Sequence, residues 1–258
     1  MKTKSKAKLT ANFDLKIGDE VASLSATVPD QKVTVSELIP VYQLLANDIV
    51  SHSIVQSAKA GKNISCKAGC SACCTQAVPV SELEALHLAK VVKSMPEHRQ
   101  KRIRQRFADT QAAIAAAGLT QPMQEIAKLD KKSRNALGVK YYSLKLDCPF
   151  LEDKRCSIYS DRPLECREFV VTSDPKHCIE LNPQEITHLD SKLRLTPVLR
   201  TQSQELFGKK SSGWMLLVNC LDWAKTNKTR LKKKSAMFWL QDLIDLATNR
   251  KVNSHKTP

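Results

Sequence analysis

The chain reads as a mainly α-helical protein with a small irregular β-hairpin and loop region around a cysteine-ligated metal site. Three observations predict this. First, 7 glycines and 5% aromatic residues in 258 positions disfavour a sheet-rich sandwich. Second, apolar residues recur at helical spacing through most of the sequence. Third, eight of the nine cysteines gather in two stretches, 66–74 and 148–178.

The elements follow in order. Residues 1–32 carry scattered lysines, Pro29 and Asp30, and are expected to be weakly ordered. Residues 33–247 are expected to form a single helical domain. Thr34 and Glu37 have capping-box spacing, and Leu38, Val41, Leu44, Leu45 and Ile49 share one face of the helix that follows. Pro40 argues for a later start or a kink, and Gly61 for a stop. Ser81 and Glu84 form a second capping box, opening a helix that ends before Pro96. A basic and then alanine-rich helix spans 97–117, closed by Gly118. A further helix is expected from Pro122 to Leu137, then a strand-like stretch from Val139 to Leu146. Beyond the second cysteine region, helices are expected at 197–207, 214–225 and 236–247, with a flexible tail at 248–258.

Charge and composition narrow the classes. The balance of 41 basic against 26 acidic residues gives +15, which favours anionic partners such as nucleic acid. Eight thiolates would bring that charge down to about +7, and the basic residues read as solvated helix faces, so nucleic acid is not the favoured partner. Neither a secretory h-region nor an uncharged apolar run of ~18–20 residues is present, so no membrane span is expected and the cytoplasm is the expected compartment. Thiols stay reduced there, and nine cysteines fit disulfide pairing poorly. Gly-rich phosphate loops and dinucleotide fingerprints are missing from the sequence.

The chemistry lies in the cysteines. Cys66-x3-Cys70-x2-Cys73-Cys74 packs four thiols into nine residues. On a regular helix they would fall within a stripe of about 100° but spread over about 12 Å of rise, too far for one ion with Zn–S bonds of ~2.3 Å. Either the segment is a turn, which Gly69 permits, or its thiols serve more than one centre. In the second region, Cys148-Pro149-Phe150-Leu151 and Cys156-Ser157-Ile158-Tyr159 flank a charged turn and read as a hairpin. Ser160-Asp161-Arg162-Pro163 then resembles a capped helix start that places Cys166 in an early turn, with Cys178 further on. The metal-ligand candidates are therefore Cys66, Cys70, Cys73, Cys74, Cys148, Cys156, Cys166 and Cys178. Soft thiolates of this density suit zinc, iron or an iron–sulfur cluster such as [4Fe-4S]. Arg162 and Arg167 are expected to offset thiolate charge, whereas Lys67 reads equally well as a surface residue. Cys220 reads as a packed core thiol, and His87 as a packed or surface histidine; His177 is the less favoured alternative to Cys178 as a ligand.

These motifs, in this order, resemble the YkgJ-like cysteine-cluster family, described as zinc- or iron-chelating. The resemblance spans about 66–178 and implies a metal-binding domain; it leaves the segments before 60 and after 180 unexplained. Similar cysteine arrangements occur in flagellin lysine methylases, which implies that an iron–sulfur centre is an option. Three functions compete: a metal-chelating protein, an iron or iron–sulfur enzyme for methyl transfer or redox chemistry, and a zinc-stapled nucleic-acid-binding module. The sequence decides neither the metal, nor the number of centres, nor the oligomeric state, nor whether the chain is an enzyme.

Overall fold

The computed structural model describes residues 7–67, 69–180, 184–227 and 231–248; the expected flexible tail lies, from 249 onward, outside the described residues. Helices dominate, as composition predicts.

The N-terminal segment corrects the expectation of weak order. Strands β1 (Lys8–Ile17) and β2 (Glu20–Pro29) form an antiparallel hairpin in continuous register from Lys8↔Pro29 to Ile17↔Glu20. Gly18 opens the two-residue turn at φ +66°, a conformation that costs glycine little. Leu15, Ile17, Ala22, Ala26 and Val28 alternate onto one buried face. Alanines hold much of that face, so the alternation is faint in hydropathy while remaining strict in register.

Strand β3 (Lys32–Val33) and a 3-10 turn at Val35–Leu38 precede α1 (Ile39–Lys59). Glu37 Oε2 accepts from the Thr34 amide at 2.9 Å. Pro40 sits in the first turn of α1, where its missing N–H is harmless, so it delays the helix start. Ile39, Tyr42, Leu45, Ala46 and Ile49 are buried, whereas Leu44, expected on that face, is 63% exposed.

Strand β4 (Pro79–Ser81) leads into α2 (Glu82–Ser94), capped as expected: Glu84 N donates to Ser81 Oγ at 3.1 Å and Ser81 N to Glu84 Oε2 at 2.8 Å. Helix α3 (Glu97–Ala116) follows. The single helix expected over 122–137 is broken into α4 (Thr120–Gln124), a 3-10 turn at Ile126–Lys128 and α5 (Lys131–Ser143). Asp130 restarts the chain as an N-cap, accepting from Ser133 N at 2.9 Å. Helix α5 also overturns the strand expected at 139–146, because Leu137 and Tyr141 bury together at i, i+4 spacing.

Strands β5 (Leu151–Glu152) and β6 (Arg155–Cys156) form the expected hairpin, followed by α6 (Leu164–Glu168) and α7 (Lys176–Glu180). Helix α8 (Leu195–Phe207) comes next. The stretch expected as one helix from Trp214 starts instead as β7 (Trp214–Leu216), paired with β4, and becomes helical at α9 (Cys220–Thr226). Strand β8 (Lys234–Ser235) pairs with β3, and α10 (Ala236–Ala247) ends the described fold.

Three apolar clusters hold these elements. One joins the β1–β2 hairpin to α1, α8 and α10. A second joins α2, α3 and α9 around an edge-to-face Phe107–Phe150 pair at 5.3 Å. The third gathers the end of α3 with α4, α5 and β7. Cys148 and Cys156 lie against the second cluster, so the thiol region has one apolar wall. Among the described residues, no helix is long and apolar enough to cross a membrane.

Candidate metal centre

The first cysteine segment is a turn rather than a helix. Gly69 adopts φ +85°, and the Cys70 amide donates to Lys67 O at 3.0 Å. A 3-10 turn at Ala72–Thr75 carries Cys73 and Cys74, with Cys74 N donating to Ser71 O at 2.9 Å. The segment therefore escapes the 12 Å rise that a helix would impose.

The second region folds as its spacing predicts. Asp153 and Lys154 take φ +48° and +58° at the hairpin tip, a primed turn that suits the twist of the strands. Leu151 pairs with Cys156, and Leu151 N donates to Cys148 O at 2.8 Å, so both cysteines flank one short hairpin. Cys166 lies in the first turn of α6 and Cys178 within α7.

Backbone bonds join the two regions. The Cys148 amide donates to Cys74 O at 2.7 Å, and Ser65 N donates to Val171 O at 3.0 Å. Val171 N in turn points at Cys66 Sγ, 3.4 Å away.

The thiols are electrostatically one group. Cys73 is the hub: its charge is felt by Cys66, Cys148, Cys156, Cys166 and Cys178, and its side chain is hydrogen-bonded to that of Cys74. Cys70 joins through Cys66 and Cys178. Each shifted thiol is pushed up. For Cys73 the bond to Cys74 is the foremost cause and burial the next. Burial leads for Cys66, Cys156, Cys166 and Cys178, and it pushes Cys148 up to about 12. All eight are free thiols, and Cys70 is the exposed member.

Neighbouring residues divide into helpers and bystanders. Arg162 bears on Cys66, Cys73 and Cys156, favouring their thiolates, and its guanidinium stacks on Tyr159 at 4.3 Å. Arg167 likewise favours the Cys156 thiolate and interacts with Cys166, and it also clamps its surroundings, donating to Arg162 O at 2.9 Å, Ser160 O at 2.6 Å and Asn47 Oδ1 at 2.9 Å. His87 is packed, with Nε2 3.2 Å from Asp161 Oδ1. Cys220 is fully buried in the second apolar cluster, as a core thiol. Lys67 is exposed.

Sequence reasoning missed how α6 is held. Glu84 does more than cap α2: its Oε1 accepts from Leu164 N, the first amide of α6, at 2.8 Å. Glu165 meets Arg194 at 3.0 Å and Arg200 at 3.2 Å. Glu168 accepts from the Leu195 amide, from Thr196 N at 3.2 Å and from Arg194 Nε at 3.3 Å. The readable signal was the alternation Glu165-Cys166-Arg167-Glu168, too many charges for a short buried helix unless each has a partner.

The donors fit a thiophilic cation. Burial and neighbouring sulfurs make the thiolates of Cys66, Cys73, Cys148, Cys156, Cys166 and Cys178 costly until a positive ion offsets them. Among the described residues, no three His, Cys, Asp or Glu side chains are already drawn into a closed ligand set.

Fold and thiol arrangement together define a helical protein with a sulfur-rich candidate metal region. Residues 65–191 match the family model CxxCxxCC, described as a "putative zinc- or iron-chelating domain". No curated protein and no solved structure matches the chain.

Proposed function

We propose that the chain is a metal-chelating protein that binds zinc or iron through Cys66, Cys70, Cys73, Cys74, Cys148, Cys156, Cys166 and Cys178. The observation that supports it is the thiol group centred on Cys73, drawn from four separate segments. Eight sulfurs suffice for two four-coordinate centres or for one centre with reserve donors. Adjacent Cys73 and Cys74 are where two such centres would divide, since neighbouring side chains diverge. The match to a zinc- or iron-chelating domain supports the same reading.

Anaerobic purification with elemental analysis and a visible spectrum tests it. Zinc in a colourless protein, or iron with absorbance near ~400 nm, is the expected result, the second identifying an iron–sulfur centre. Cys70→Ala and Cys156→Ala should each lower metal content. Unchanged content in both would show that the two regions do not share a site.

A further inference from the structure

Helix α6 carries Cys166 but spans five residues, too few to be stable alone. It is fastened from outside at four points. Glu84 of α2 takes its first amide, and Asn47 of α1 takes Arg167. Arg194, at the start of α8, bridges Glu165 at 3.0 Å and Glu168 at 3.3 Å. Arg200, within α8, reaches the other oxygen of Glu165 at 3.2 Å, its guanidinium 5.0 Å from the Trp214 ring centroid. The Glu165 carboxylate is thus held by two guanidinium groups, one on each oxygen. The Glu168 side chain is 1% exposed and receives two amides from the start of α8. These bonds fix the rotation of α6 about its axis, and that rotation decides where Cys166 points. Both arginines lie beyond residues 65–191, which match the family model.

We propose that Arg194 and Arg200 are positioning residues for Cys166, so that α8, outside the matched segment, completes the metal centre. The proposal rests on the reading of Cys166 as a ligand. Ion pairs that only stabilised the fold would leave the sulfur in place and move the melting temperature alone. Partners that orient a ligand act on affinity instead, by about 10–100-fold.

Anaerobic Co(II) titration of the full chain tests this, read as affinity and as thiolate-to-cobalt charge-transfer intensity per bound ion. The Arg194→Ala, Arg200→Ala double variant should bind Co(II) about 10–100-fold more weakly, with lower intensity per ion, as Cys166→Ala does. Adding Cys166→Ala to the double variant should bring little further loss, because both act through one sulfur. Lysine at both positions should restore part of the signal. Gln202→Ala, in α8 like Arg200, breaks a 2.8 Å bond to Asp242 of α10 and should lower the melting temperature without changing the spectrum. Should the alanine pair not fold, Arg194→Ala alone, which keeps the Arg200–Glu165 bond, is judged by the same criteria. A wild-type spectrum and affinity in the arginine variants, beside a loss in Cys166→Ala, would overturn the positioning role and leave the metal reading intact. An equal spectral loss in Gln202→Ala would reduce the arginines to general stabilisers and overturn it as well. No loss in Cys166→Ala would remove Cys166 from the ligands, and this proposal with it.

Discussion

Cys73 and Cys220 are the same residue type in opposite surroundings. Cys73 sits among thiols, with Arg162 bearing on it, while Cys220 is sealed in apolar packing between α2, α3 and α9. Serine at position 220 should leave metal content unchanged and lower stability by about 1–3 kcal/mol, the penalty for a buried hydroxyl without a partner; denaturant unfolding and elemental analysis read the two effects separately. Cys73→Ala should lose more metal than Cys70→Ala, because Cys73 couples to every cysteine segment and Cys70 lies at the exposed edge. The candidate ligands were legible from spacing alone, since thiols this dense have few other uses. The hydrogen bonds of Arg167 were not: a sequence shows a cation beside a cysteine but not that carbonyl oxygens also hold it, as those of Ser160 and Arg162 do here.

Local signals were readable wherever the chain carries its own punctuation. Ser81 with Glu84, Pro96 and Gly118 each set a boundary that the structure keeps. The β1–β2 hairpin escaped because alanines hold part of its buried face, and the break between α4 and α5 because it rests on the Asp130 N-cap together with the packing of Leu137 and Tyr141 into the third cluster. Turn geometry gives two tests. Lys154 holds φ +58° in the hairpin that carries Cys156, so Lys154→Gly should stabilise the protein by about 1 kcal/mol, measured by thermal melting. Gly213 stands at φ +77°, and a Cβ there would lie 2.4 Å from Arg200 O. Gly213→Ala should therefore destabilise by at least about 1–3 kcal/mol and displace the end of β7.

At the scale of the molecule, the ligands of the proposed centre come from residues 66–74, the 148–156 hairpin, α6 and α7. A bound ion would therefore stabilise the folded chain over the unfolded one. At an ion concentration about 100 times its Kd this is worth about 2.7 kcal/mol, or a melting shift on the order of 5–10 °C for a chain of this size. Chelator treatment followed by calorimetry should show that fall, and readdition of the ion should reverse it. Composition foretold the helical architecture, but not that α1 and α8, outside both cysteine stretches, would grip the helix that carries Cys166. The bond from the Cys148 amide to the Cys74 carbonyl has one more consequence. It involves no sulfur, so alkylating or oxidising the thiols leaves it whole. The long loop between those two residues is then closed by polypeptide, with its entropy already lost before any ion arrives. An emptied molecule would keep its vacancy in shape and could be refilled, rather than having to be made again.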